Sequence, residues 1–225
     1  MTNKNIFVAC DVSSQNEILD LLELIHDDIS GIKIGLQYIT QRSPDEIREL
    51  SRFKKPIFYD GKFFDIKNTL VESIKSLKYL NITYATVHLL NGLDALNAAN
   101  QAAKEINLNL LGVSVLTSFS DEDLVNLGFS NKVKDQVKKL IKIAIEANLH
   151  GVICSPLEVK MIKKIAPKLK CFTPGIRAGV GKDDQKRTLN ANEALKEGSD
   201  CLIIGRPITK GDPKENIKNI LLSIV

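Results

Sequence analysis

Asp60, Lys62 and Asp65 put three charges into six residues, directly after the short apolar run from Pro56 to Tyr59. On an extended backbone, side chains two apart share a face. Asp60 and Lys62 are therefore expected to project together from a strand end, with Asp65 just beyond on the connection. A lysine between two carboxylates keeps its proton. Such a group can set negative charge and one proton against a chosen atom of a ligand. Taken alone, the spacing is equally that of a surface ion pair at a strand end, so the rest of the chain must decide.

The elements around this stretch alternate regularly. Short apolar runs predict strands at Ile6 to Asp11, Gly31 to Gly35, Pro56 to Asp60, Tyr84 to His88, Leu110 to Leu116, Gly151 to Cys154, Leu169 to Thr173 and Cys201 to Ile204. Between them, helical spacing of apolar residues and cap signals predict helices. Ser13 or Ser14 caps the first, and Ser43 before Pro44 opens the next. Thr69 with Glu72 is a candidate capping box for a helix over Asn68 to Leu77. Further helices are expected over Leu93 to Ile106, Val133 to Ala147, Pro156 to Ile165, Ala191 to Glu197 and Pro213 to Leu222. The strands are mostly apolar along their length, as they must be when both faces of a parallel sheet are covered. Eight strand-then-helix units predict an α/β fold, a (β/α)₈ TIM barrel, as a single domain over residues 1–225. The competing architecture is an open doubly wound sheet, but the G-x-G-x-x-G and P-loop signatures are absent.

In such a barrel the reactive face is the carboxyl end of the strands. Asp11, Lys33, Asp60, Lys62, Asp65, His88, Thr117, Arg177 and Arg206 all fall there, from many units but toward one mouth. That periodic placement lowers the standing of the surface-ion-pair reading. The loops after the seventh and eighth strands of these barrels often hold a phosphate. Here Gly205 lets backbone N–H groups approach an anion, and Arg206 supplies a forked charge-assisted contact. Pro174-Gly175-Ile176-Arg177 leads into 178–185, with two glycines and three charges. This segment suits a loop over a ligand, with Gln185 as a phosphate donor; it also suits an ordinary surface loop.

Composition narrows the classes. At 44% hydrophobic, 225 residues suffice for a substantial core. Charges and polar residues break every apolar stretch, so no membrane span is expected. The N-terminus runs into a strand without a signal-peptide pattern, and a cytoplasmic location is expected. Cys10, Cys154, Cys171 and Cys201 lie in apolar runs without metal spacing, and His26, His88 and His150 are isolated; no metal site and buried free thiols are expected. The formal charge of +4 is carried partly by Lys132, Lys134, Lys138, Lys139 and Lys142 on what reads as one solvated helix face. With no Trp and few aromatics, no nucleic-acid partner is expected.

Asp60-Gly61-Lys62-Phe63-Phe64-Asp65-Ile66-Lys67-Asn68-Thr69 resembles the D-x-K-x-x-D-I-x-N-T motif of the orotidine 5′-phosphate decarboxylase family. The likeness extends to Asp11, Lys33 in Ile-Lys-Ile-Gly, Leu116-Thr117-Ser118, Thr173 to Arg177, Asp184-Gln185 and Ile204 to Thr209, in the same order along nearly the whole chain. The family usually has proline where Lys67 stands, often histidine where Phe64 stands, and more often an apolar residue than Gly61. None of these departures removes a functional group.

The resemblance implies a homodimer of barrels acting on a small-molecule nucleotide, orotidine 5′-monophosphate, without metal or organic cofactor. It implies that Lys62 stabilises and protonates the C6 carbanion, with Asp60 and Lys33 in its charge network. Asp65 and Thr69 would reach into the partner's site. Lys33 and Asp11 would meet the ribose, and Thr117 or its neighbour Ser118 the pyrimidine. Arg177, Gln185, Gly205 and Arg206 would bind phosphate. The nearest rival is a magnesium-dependent 3-keto-gulonate-phosphate decarboxylase or hexulose-phosphate synthase of the same barrel group, which carries a similar D-x-K-x-x-D. A phosphosugar epimerase and a catalytically silent nucleotide-binding barrel are more distant readings.

Overall fold

The computed structural model describes residues 5–177 and 187–224. Its eight strands are β1 (Ile6–Cys10), β2 (Gly31–Gly35), β3 (Ile57–Phe63), β4 (Tyr84–His88), β5 (Asn109–Val113), β6 (Gly151–Ile153), β7 (Lys170–Thr173) and β8 (Cys201–Ile204). They pair in parallel and in sequence order, and β8 closes on β1. The chain therefore forms a closed barrel, and the open-sheet alternative falls away.

The helices follow the expected alternation. They are α1 (Gln15–Ile25), α2 (Leu36–Ile39), α3 (Pro44–Glu49), α4 (Lys67–Ser76), α5 (Leu93–Glu105), α6 (Asp121–Asn126), α7 (Val133–Glu146), α8 (Val159–Ile165), α9 (Ala191–Lys196), α10 (Arg206–Thr209) and α11 (Pro213–Ser223). Ser14 caps α1 by accepting from the Glu17 N–H, and Ser43 with Glu46 forms a capping box on α3. The capping box expected at Thr69 does not form. α4 starts two residues earlier, at Lys67, after an Ile66 cap without a side-chain bond. Lys67 thus stands at the first helical position, where proline is also favoured, so the departure from the family's proline leaves the helix start intact. The short helices α2, α6 and α10 were not expected; each is too brief to show a helical period in sequence. The Ser120–Asp123 capping box that opens α6 is legible there only in retrospect.

Two apolar layers hold the fold. Outward-facing strand residues such as Val8, Ile32, Ile57 and Ile204 pack with Ile18, Leu22, Leu70, Leu96 and Val137 from the helices. Inside the barrel, Phe7, Phe58, Phe172 and Tyr84 pack edge to face or tilted, with ring centroids between 5.3 and 6.5 Å apart. Gly31 makes room for this layer: a Cβ there would lie 2.2 Å from the Phe7 ring. Ala9, Leu111, Val113, Ile153 and Ile203 complete the inner core. The aromatic layer packs the amino end, where a cavity of about 260 Å³ remains beside Phe7, Tyr84 and Phe172, and a larger one opens at the carboxyl end.

Candidate active site

The strand period places the polar residues. Asp11 lies two beyond Ala9, Asp60 two beyond Phe58, Thr86 two beyond Tyr84, and Gly205 two beyond Ile203. Each therefore continues an inward-facing row one step above the apolar layer. Thr86 lies buried behind Asp60, and Asp11, Asp60 and Gly205 border a cavity of about 700 Å³ at the carboxyl end. It is lined by Asp11, Lys33, Asp60, Lys62, Thr117, Ser118, Arg177, Gly205 and Arg206, all expected from sequence. A nucleotide-sized ligand falls within this range of volumes.

Four of these side chains form a row of alternating charge. Lys33 Nζ lies 2.8 Å from Asp11 Oδ1 and 3.9 Å from Asp60 Oδ2, and Lys62 Nζ lies 2.8 Å from Asp60 Oδ2. Lys33 is 7% exposed, so its charge is held by its two carboxylate neighbours rather than by water. Lys62 is reached through an irregularity. The β3–β4 register shifts between Tyr59 and Phe63, and Lys62 has φ 48°, in the left-handed region. A bulge of this kind re-aims a side chain beside a site.

Thr86 fixes this bulge and was missed in the sequence. Its hydroxyl donates to Asp60 Oδ1 at 3.0 Å and accepts from the Lys62 N–H at 2.8 Å, and the residue is fully buried. A threonine in an apolar strand carries no signal except its inward phase. Asn91, also missed, donates to the carbonyls of Phe63 and His88 and accepts from the Asp65 N–H at 3.1 Å. Glu17, Gln37, Thr209 and Lys210 line the cavity as well, and the sequence did not single them out.

Asp65 and Thr69 stand apart. Both are exposed, and neither lines the cavity. Within the chain Lys62 pairs with Asp60 and not with Asp65, so one chain does not set the lysine between two carboxylates as the spacing suggested. Gln185 lies outside the described residues. His88 ends β4 outside the cavity lining, half-buried, and its Nδ1 accepts from the Leu90 N–H at 3.3 Å. Burial, and then the nearby Lys62 charge, lower its pKa. The four cysteines are free and buried. Burial raises the Cys10 thiol to about 12, well away from reactive thiolate chemistry.

Comparison with known proteins decides the family. The model of the orotidine 5′-phosphate decarboxylase / HUMPS family matches residues 4–220. The chain belongs to this family. A relative from Wolbachia sp. subsp. Brugia malayi (strain TRS), named orotidine 5′-phosphate decarboxylase, is 39% identical over 96% of this chain and 97% of its own. One of the same name from Legionella pneumophila (strain Corby) is 37% identical over 99% of each chain. The crystal structure of orotidine 5′-phosphate decarboxylase from Lactobacillus acidophilus superposes with a TM-score of 0.84 at 31% identity, covering 97% of this chain and 98% of that one. Membership in the orotidine 5′-phosphate decarboxylase / HUMPS family, and the barrel it brings, agree with the resemblance read from the motif.

Among the described residues, no group of three or more His, Cys, Asp or Glu is arranged to hold a metal ion. No helix among them is long and apolar enough to cross a membrane.

Proposed function

We propose that this protein decarboxylates orotidine 5′-monophosphate to uridine 5′-monophosphate and CO₂, the last step of de novo UMP synthesis, without metal or organic cofactor. The observation that carries this reading is the row Asp11–Lys33–Asp60–Lys62 at the mouth of the barrel, in a chain whose similar full-length relatives bear that enzyme's name.

Loss of CO₂ from C6 leaves an electron pair that the pyrimidine ring delocalises poorly. Fixed charge must stabilise it. The Lys62 ammonium would face the developing carbanion and then deliver the proton to C6. Asp60 would hold that ammonium in place, with Thr86 holding the Asp60 carboxylate and the Lys62 backbone. Their orientation before reaction is the source of the stabilisation, since little reorganises as charge develops. Lys33 and Asp11 would meet the ribose hydroxyls, and Thr117 or Ser118 the pyrimidine. Arg177, Gln185, Gly205 and Arg206 would hold the phosphate. Binding energy from that remote group would be expressed at the reacting carbon.

Asp65 and Thr69 would complete the site of a second copy. The apolar surface beside them supports this reading: Phe64 is 63% and Ile66 74% exposed, and Leu90 and Leu93, also exposed, flank Asn91, which bonds Asp65. Patches of this kind favour burial against a partner. Four free cysteines fit the reducing cytoplasm, where we place the reaction.

The test is an ultraviolet assay for loss of orotidine 5′-monophosphate with a metal chelator present throughout. Turnover is expected. Failure on this substrate, with activity on a keto-sugar phosphate once magnesium is added, would replace the reading with that of the family's sugar-phosphate branch.

A further inference from the structure

Arg187 lies outside the cavity lining, yet its side chain ties three of the loops around it. One guanidinium nitrogen meets the carboxylate of Glu158, which is 6% exposed. The other donates to the Leu116 carbonyl at 2.9 Å and the Val115 carbonyl at 3.4 Å, and Nε donates to the Thr117 carbonyl at 3.4 Å. Three successive carbonyls beyond the end of β5 therefore converge on one planar cation. The arginine's backbone is held in turn, since Ser155 Oγ donates to its carbonyl at 3.1 Å. The Ser155 N–H donates to Glu158 Oε2 at 3.0 Å. Two residues on, Leu189 bridges Ile176, and its carbonyl accepts from the Arg177 N–H at 3.0 Å.

Val115, Leu116 and Thr117 line the cavity, and Arg177 lines it from another side. They have left the strand ladder, so neighbouring strands no longer fix their carbonyls. Only a guanidinium offers donors in one plane toward a carboxylate and three carbonyls at once; an ammonium has the charge without the fork.

We propose that Arg187, oriented by Glu158, is a positioning residue. It fixes the Val115–Thr117 wall, and with it the pyrimidine end of the substrate, relative to the phosphate end at Arg177. This rests on the decarboxylase reading above.

Arg187→Lys, Glu158→Gln and the double variant test it beside the wild type. Turnover is measured per active site, with sites counted by titration with a tight-binding nucleotide analogue. Competitive inhibition by ribose 5-phosphate, which lacks the pyrimidine, is measured in parallel. Arg187→Lys is expected to lose at least about tenfold in kcat/KM for orotidine 5′-monophosphate, while inhibition by ribose 5-phosphate stays within about twofold. Glu158→Gln should show the same split more mildly, and the double variant should be little worse than Arg187→Lys alone, since the pair acts as a unit. If Arg187→Lys does not fold, Glu158→Gln carries the test by its split alone. Turnover per site within about twofold of wild type would overturn the proposal, as would equal losses for the nucleotide and ribose 5-phosphate. A wild type that fails to turn over the nucleotide would instead overturn the decarboxylase reading, and this assignment with it.

Discussion

Lys62 holds its ammonium in the cavity from a backbone conformation that costs a residue with a side chain about 1–3 kcal/mol. Asn81, Asn107 and Asn148 share positive φ, but asparagine tolerates it and these lie at turns. Lys62 alone adopts it inside a described strand. Thr86 is what makes the bulge stable, because its hydroxyl satisfies both the Lys62 N–H and Asp60. Thr86→Val keeps the shape and removes both bonds. It should lower the unfolding free energy by about 1–3 kcal/mol and kcat by about 10- to 100-fold. Denaturant titration and steady-state kinetics read the two effects separately. Histidines set a pH dependence at the same scale. Burial, then a nearby lysine, lowers the pKa of His88 and of His150 below the ordinary 6.5. Below that value the unfolded chain binds more protons than the folded one, so their contribution is present above about pH 6.5 and is lost as pH falls through the folded values. Glu158, raised chiefly by burial, contributes a slope of the opposite sign above its ordinary 4.5. The test is therefore a difference: His88→Gln/His150→Gln should lose less stability than wild type between pH 7.5 and 5.5 (~2 pH units, spanning the ordinary histidine range), read as urea midpoints.

At the scale of elements, the two ends of the cavity are built differently. The charged row comes from β1, β2 and β3, whose ladder registers pair Ala9 with Lys33 and Gly35 with Asp60. The positions of Lys33 and Asp60 are therefore set by the ladder itself, whereas Lys62 is placed by the bulge. The proposed phosphate end comes from turns. Gly205 brings the chain close to β1, where an added Cβ would lie 3.3 Å from the Ala9 Cβ, and α10 begins at the next residue. Arg206, exposed at that start, is expected to act on phosphate. Arg206→Ala should cost about 10- to 100-fold in kcat/KM for orotidine 5′-monophosphate, as a charge-assisted bond of about 1.5–3 kcal/mol would. Its melting temperature should match wild type. With orotidine, which has no phosphate, the variant and wild type should perform alike; equal losses on both substrates would take the phosphate role away from Arg206.

The whole molecule adds the question of the second carboxylate. Asp65 is tethered near the end of β3 by Asn91, on a surface that carries Phe64 and Ile66. If Asp65 completes a neighbouring copy's site, two inactive variants can repair each other. Lys62→Ala and Asp65→Ala should each lose at least about 10³-fold in kcat. Mixed in equal amounts and allowed to exchange subunits, they should recover activity in about one quarter of all sites, the fraction expected for random pairing in a two-fold dimer. Sedimentation should give about twice the 24.9 kDa of one chain. No recovery from a mixture shown to have exchanged would place Asp65 in its own chain's chemistry.

The sequence by itself determined the barrel, because eight apolar runs alternating with helical periods admit few arrangements, and period two carries each run's inward face up to Asp11, Asp60 or Gly205. It also determined the family, because Asp60, Lys62, Asp65, Ile66, Asn68, Thr69 and the Gly205-Arg206 turn keep their types and order. Local signals decided the ends of α1 and α3, where Ser14 and Ser43 bond within their own turns. Only the tertiary structure decided the rest. The reach of β3 to Phe63 and the turned backbone of Lys62 depend on Thr86, which is 24 residues away in sequence. Arg187 reads in sequence as one more surface cation, and becomes a brace only when the barrel brings Val115, Leu116 and Thr117 beside it, from about 70 residues away. Asp65 stands exposed outside its own cavity, although its spacing suggested a place beside Lys62, because it lies past the end of β3, where the ladder no longer sets the chain. Periodicity records which face a residue occupies, whereas contacts between distant segments leave no period to read.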